Sequence, residues 1–246
     1  MRTKLLLATI LALAPMPALA DVTAHYAMGS KELVVEVDDG GNSRIDLAGQ
    51  ATIIRRDNVD YIVIKDKDGP KVFELQAMVD LMKTLLPKSK AEDDHKAEFG
   101  VVPGPAEVSV AGVAGSVWLL SMIKGPADDV KRHVEIAMSP DPKLAPVGQV
   151  FARTADVFLE FMANFIPEST QFGATTRGIL AKGTPLRIQP IDPAKKEKVL
   201  LELKAIETTE IDPKHFELPA PVTSADEIFG AVDSLMKPGG AIQNLP

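Results

Sequence analysis

The chain has 246 residues, carries a formal net charge of −7 at pH 7 and contains no cysteine. A chain of this length can bury a substantial core, so packing and hydrogen bonds can stabilise it without disulfides. The acidic balance, without a concentrated basic segment, argues against nucleic acid as a partner, because phosphate backbones repel negative surfaces.

The N-terminus has the pattern of a secretory signal peptide. Two basic residues precede an apolar run over residues 5–13, and small residues occupy positions 18 and 20. The run is shorter than the ~20 residues that span a membrane, which makes a permanent anchor the weaker alternative. We therefore expect residues 1–20 to be removed after Ala20, leaving a periplasmic protein without a transmembrane anchor.

Residues 22–75 show the alternation typical of half-buried strands. Leu33, Val35 and Val37 alternate with polar residues, and Asp39-Gly40-Gly41-Asn42 has the composition of a hairpin turn. The spacing of such segments predicts a meander of about six strands.

Two stretches show helical spacing. In residues 76–86, the apolar positions Met78, Leu81, Met82 and Leu85 lie on one face, and Pro87 ends the pattern. In residues 148–166, the stripe consists of Phe151, Ala155, Phe158, Met162 and Phe165, before Pro167. Between the two helices, residues 88–98 lack an apolar period, which predicts a loop.

The remaining strand-like segments are residues 106–110, 116–123, 133–138, 177–180, 185–189 and 198–207. Their pattern does not decide whether they complete the first sheet or form a second one. Ser224 and Glu227 form a capping-box pattern, which predicts a C-terminal helix within residues 222–246.

Three stretches resemble the lipoprotein-carrier-like (LolA-like) periplasmic proteins and related uncharacterised envelope proteins. They are Arg55-Arg56-Asp57-Asn58-Val59-Asp60-Tyr61-Ile62, Lys182-Gly183-Thr184-Pro185-Leu186-Arg187, and Ile206-Glu207 followed by Ile211-Asp212-Pro213-Lys214-His215-Phe216-Glu217-Leu218-Pro219. The resemblance implies an α+β protein, mainly β: a curved antiparallel sheet or unclosed barrel, with helices over its concave face and an apolar cavity between. It implies one such domain over residues 21–221. The chain departs from the carriers in its extra C-terminal helix.

Six apolar residues are candidates for contacting a ligand in that cavity, because aromatic faces and flexible methionines accommodate varied apolar ligands. They are Trp118, Phe151, Phe158, Phe161, Met162 and Phe165. An aromatic stripe at helical spacing also suits a packed core, and the sequence leaves both interpretations open.

No catalytic, metal or cofactor site is predicted. The chain has no cysteine nucleophile and no Gly-x-Ser-x-Gly elbow, and its four histidines lack ligand spacing. We expect a non-enzymatic protein that binds an apolar or lipid-like ligand such as an acyl chain. The alternative is an interaction or structural protein that meets an envelope partner through a sheet edge or the C-terminal helix. An envelope hydrolase is the least favoured class.

Overall fold

The computed structural model describes residues 21–49, 51–85, 97–124, 132–163, 169–191 and 199–224, together with Glu227. The strands are β1 (Val22–Met28), β2 (Lys31–Val37), β3 (Ser43–Leu47), β4 (Ala51–Arg56), β5 (Val59–Asp66), β6 (Gly69–Glu74), β7 (Ala97–Val110), β8 (Val113–Lys124), β9 (Arg132–Ser139), β10 (Thr184–Ile191) and β11 (Leu201–Glu207). The helices are α1 (Leu75–Leu85), α2 (Ala145–Met162) and α3 (Ser169–Leu180), with 3-10 turns at Pro142–Leu144 and Pro213–Phe216.

The eleven strands of the described chain form one curved, unclosed sheet in the order β6-β5-β4-β3-β2-β1-β11-β10-β9-β8-β7. Neighbouring strands pair antiparallel, and β11 lies between β1 and β10. The second β region therefore completes the first sheet. Strand β7 also contacts β11, although three strands separate them in the sheet order, which shows how strongly the sheet curves.

The six-stranded meander and the hairpin predicted at residues 39–42, which joins β2 and β3, are confirmed. Gly41 has φ of 83°, a conformation that glycine adopts at little cost, and the amide of Asn42 donates to Asp38 Oδ1 at 2.7 Å. A row of apolar partners crosses the whole meander on one side: Ala24, Val35, Ile45, Ile53, Ile62 and Phe73.

We call the side of the sheet that carries this row the inner face, because all three helices pack there. Helix α1 lies against β5 and β6, α2 against β1, β2 and β10, and α3 against β7. The main core forms where Val147 and Val150 of α2 meet the inner face near Tyr26 and Val35. No helix in the described ranges is both long enough and apolar enough to cross a membrane.

The opposite side, the outer face, is covered in part by residues 211–224, which we call the C-terminal strap. Phe216 in the strap is buried, and Leu218 and Ala220 pack on Ile54 and Val63. The strap then reaches the edge of the sheet, where the amide of Thr223 donates to the carbonyl oxygen of Val72 at 2.7 Å.

Two expectations about local structure were wrong. Residues 177–180 are not a strand but the last turn of α3, where buried Ile179 packs on Ile136 and Met138. Tertiary packing overrides the strand-like local composition there. The predicted loop also ends earlier than expected, because β7 already begins at Ala97. The rest of that loop, residues 1–20 and residues 228–246 lie outside the described residues.

Candidate functional site

The first half of α2 is firmly seated on the inner face. Val147 is 0% exposed and Val150 2%. Helix and sheet approach closely at Gly148, where an added Cβ would lie 2.7 Å from Thr184 Oγ1. The same hydroxyl donates to the carbonyl oxygen of Leu144 at 2.7 Å, just before the helix begins. This part of α2 therefore belongs to the core.

Tyr26 is the central residue of that contact. Its ring lies edge-on to Phe151, with centroids 5.3 Å apart, and its hydroxyl donates to the carbonyl oxygen of Pro185 at 3.0 Å. Burial holds the pKa of the Tyr26 phenol above its ordinary value, because the charged form would be desolvated. A regular alternation along β1 carries Tyr26 to the inner face, so strand periodicity was the available signal for it.

The second half of α2 is covered less well. Phe158 follows Val147 by about three turns at 3.6 residues per turn, so both side chains lie on one stripe of the helix. Yet Phe158 is 55% exposed. Phe161 and Met162, near the end of the helix, are half-buried. The apolar stripe of α2 is thus buried at the start of the helix and exposed near its end.

Ion pairs flank this open half of α2. They join Arg153 Nε to Asp60 Oδ1 at 3.3 Å, Arg177 Nε to Asp156 Oδ1 at 2.6 Å, and Lys83 Nζ to Glu160 Oε1 at 2.5 Å. The hydrogen bond to Glu160 raises the pKa of Lys83, and burial lowers that of Arg153. The pairs connect α2 to β5, α3 and α1, so these charged side chains of α2 point to its flanks.

The inner face near α2 carries apolar side chains that are only partly covered. They are Met28, Leu47, Ile53, Ile62 and Ile206. Together with the exposed stripe of α2, these side chains give the concave side an apolar surface. No described charged residue lies on that stripe of α2.

Trp118 belongs to a different part of the inner face. It packs with Ile136 and Ile179 under α3, and Lys182 Nζ lies 3.9 Å from the centroid of its ring. That distance is typical of a cation–π interaction, which together with the apolar contacts accounts for the environment of this ring.

The structure thus separates the six predicted site residues. Phe151 packs in the core, Trp118 lies under α3, and Phe158, Phe161 and Met162 share the open half of α2. Phe165 lies outside the described residues.

The cavities differ between the two faces. On the helix side, a cavity of about 160 Å³ lies between Val157 and the start of α1, and one of about 110 Å³ lies beside Val150. On the outer face, two larger cavities of about 660 and 580 Å³ lie along the C-terminal strap. Within the described ranges, no three His, Asp or Glu side chains converge as a metal site would require.

Comparison with known proteins gives little similarity. No family model matches the sequence, and no curated protein matches it. The crystal structure of MucB in complex with MucA(peri) is similar at 11% identity with a TM-score of 0.27, over 86% of this chain and 54% of that one. A second MucB crystal structure is similar at 10% identity with a TM-score of 0.30, over 82% of this chain and 58% of that one. The chain thus spans little more than half the length of each. Similarity this low assigns no family, activity or partner to the chain.

Proposed function

We propose that this chain is a non-enzymatic periplasmic binding protein that takes an apolar or lipid-like ligand between the inner face and the second half of α2. One observation carries the proposal: Phe158 is 55% exposed on a stripe whose earlier member Val147 is fully buried. When a ligand covers a large apolar side chain in that position, removal of the apolar surface from water stabilises the complex.

The neighbouring residues suit such a ligand. Phe161 and Met162 continue the apolar surface, and the flexible thioether of Met162 can adapt to chains of different shape. Because the flanking charges of α2 are paired with α1, α3 and β5, the exposed stripe favours an uncharged hydrocarbon segment over a charged headgroup.

The environment of Asp21 supports the proposed export and cleavage after Ala20. The Asp21 carboxylate accepts the amide of Asp39 at 3.0 Å and that of Ile211 at 2.7 Å, and β1 begins at the next residue. We expect the mass of the protein from a periplasmic fraction to correspond to a chain that starts at Asp21, and a mass that includes residues 1–20 would contradict cleavage.

Replacing Phe158 by serine tests the binding proposal. We expect the Phe158→Ser variant to bind the neutral apolar dye Nile red about tenfold more weakly, which corresponds to ~1.4 kcal/mol of lost apolar contact. Its unfolding midpoint should change little, because the side chain is largely exposed in the free protein.

Val102→Ser is the matched control, because Val102 is 53% exposed on β7, away from α2. This control should bind the dye as the unmodified protein does. Equal dye affinity in the Phe158 variant, or an equal loss in the Val102 variant, would contradict the proposed site.

The β6 edge supports a second proposal, an interaction with an envelope protein by strand addition. Val72 and Val222 already form a parallel bridge there, so this edge accepts an added strand. Thr223→Pro removes the amide that bonds to Val72. We expect a labelled peptide with the sequence of residues 217–227 to bind this variant more tightly than the unmodified protein in fluorescence anisotropy. Equal affinities would contradict the proposal that the β6 edge can release the strap and accept an added strand.

A further inference from the structure

Two cavities lie on the outer face, away from the proposed apolar site. One of about 660 Å³ is bounded by the ends of β3–β6 and by the C-terminal strap, and we call it the outer groove. Its volume falls within the range of small-molecule sites in proteins, about 300–1,000 Å³. It adjoins the cavity of about 580 Å³ through Arg44, Gly49 and Lys214, which line both.

The outer groove has an apolar floor. Ile54 is buried and Val63 nearly so, and both pack against Leu218 of the strap. Thr52 and Pro219 also line the groove. Because Leu218 is half-buried and Pro219 exposed, a ligand with a flat apolar body can lie against the strap here while its polar end meets the rim.

Cations predominate at that rim. Arg44, Lys65 and Lys214 line the groove, and within the described residues the ammonium groups of Lys65 and Lys214 have no hydrogen-bond or ion-pair partner. Lys65 Nζ lies close to the β3–β4 turn, 3.5 Å from where a Cβ on Gly49 would stand. The Arg44 guanidinium donates to the carbonyl oxygen of His215 at 3.2 Å and lies 3.4 Å from Asp46.

Two acids, Asp66 and Glu217, also line the outer groove. Asp66 Oδ2 lies 2.5 Å from Lys71 Nζ, and this hydrogen bond lowers the pKa of Asp66, so that pair is neutral overall. Glu217 is exposed on the strap. Arg44 is paired with Asp46 at 3.4 Å and with Glu36 at 3.9 Å, so the ammonium groups of Lys65 and Lys214 carry the unpaired positive charge of the groove.

The adjoining cavity is acidic instead. Glu32, Glu36 and Asp46 line it, with His25 and His215 as partners of the two glutamates. An anion is therefore attracted to the outer groove and repelled from its neighbour, and Arg44 and Lys214 mark the boundary between them.

From this arrangement we propose that the outer groove binds a small phosphate monoester, with the dianionic phosphate at Lys65 and Lys214, beside Arg44, and an apolar body against Leu218 and Pro219. A dianion matches two unpaired ammonium groups better than a carboxylate does, because each unit of charge adds its own attraction. This site is independent of the proposed apolar site on the inner face.

Titration of the ¹⁵N-labelled protein with phenyl phosphate tests the proposal, with amide shifts as the readout. We expect shifts at Gly49, Thr52 and Lys65, and at least fivefold weaker effects with benzoate, which has the same ring and a single charge. Shifts of equal affinity with benzoate, shifts confined to other regions, or none at millimolar concentration would overturn the proposal.

Variants give the matched comparison. The double variant Lys65→Gln with Lys214→Gln should lose at least tenfold in affinity for phenyl phosphate. Lys67→Gln, which removes a nearby charge outside the groove lining, should lose less than twofold. An equal loss in both would show nonspecific attraction and overturn the site. Phe158→Ser should leave phenyl phosphate binding unchanged, so failure of the apolar site and failure of the outer groove are distinguishable.

Discussion

Tyr26 connects three elements at the centre of the inner face. It lies in β1, packs on Phe151 of α2 and donates to Pro185 of β10. The stretch Lys182-Gly183-Thr184-Pro185, part of the family resemblance, has a structural role at the same place. Gly183 has φ of 134°, and a Cβ there would overlap the carbonyl oxygen of Ser139. These residues therefore hold the end of α3 and β10 against the start of α2.

Removing the Tyr26 hydroxyl should destabilise the protein. In Tyr26→Phe the buried carbonyl of Pro185 loses its donor, which costs about 1–2 kcal/mol of unfolding free energy in a urea titration at pH 7. Tyr26 also makes the free energy of unfolding depend on pH. Its pKa is higher in the folded than in the unfolded state, so this contribution is complete below the unfolded value of 10.0 and is lost as pH rises above it. The variant should show a shallower alkaline loss. An unchanged alkaline slope would contradict this role.

At the scale of elements, sequence periodicity predicted most of the sheet and both α1 and α2. It did not predict which face of α2 is buried, because the expected helix began at residue 148 and omitted Val147. The structure begins α2 at Ala145, so Val147 and Val150 determine its seating, and Phe158 is left open. Helix α3 was missed because Gly173 and Gly178 weaken its local signal, while Ile179 stabilises it through packing.

Two glycine substitutions test how α2 is seated. Gly148→Ala should lower the unfolding free energy by about 1–3 kcal/mol, because its Cβ meets Thr184 at 2.7 Å. Gly178→Ala in α3 is the control, since no atom lies within 4 Å of its added Cβ. The control should gain about 0.5–1 kcal/mol from helix propensity. If both substitutions stabilise the protein in denaturant titrations, α2 does not approach β10 as closely as described.

For the whole molecule, one curved sheet accounts for both β regions, and the pairing of β1 with β11 joins them. Strand periodicity does not reveal such pairings, because β1 and β11 are almost the whole chain apart. The sequence did not predict the outer groove either. Its residues come from four strands and the strap, and only the curved sheet brings them together.

Asp21 tests how the strap is attached to the sheet, because its carboxylate accepts amides from both the β2–β3 turn and the strap. We expect Asp21→Ala to lose about 1 kcal/mol and to speed hydrogen exchange at Ile211. Glu210→Ala, an exposed neighbour without a described partner, should change neither. Unchanged exchange at Ile211 in Asp21→Ala would mean that the Asp21 carboxylate does not hold the strap.

The central claim is that the open half of α2 and the inner face hold an apolar ligand. Native mass spectrometry of the protein gently purified from its own cell envelope tests this most directly. The account predicts adducts of lipid mass on the unmodified chain, and their loss in Phe158→Ser. A clean mass without adducts, or adducts that persist equally in the variant, would contradict it.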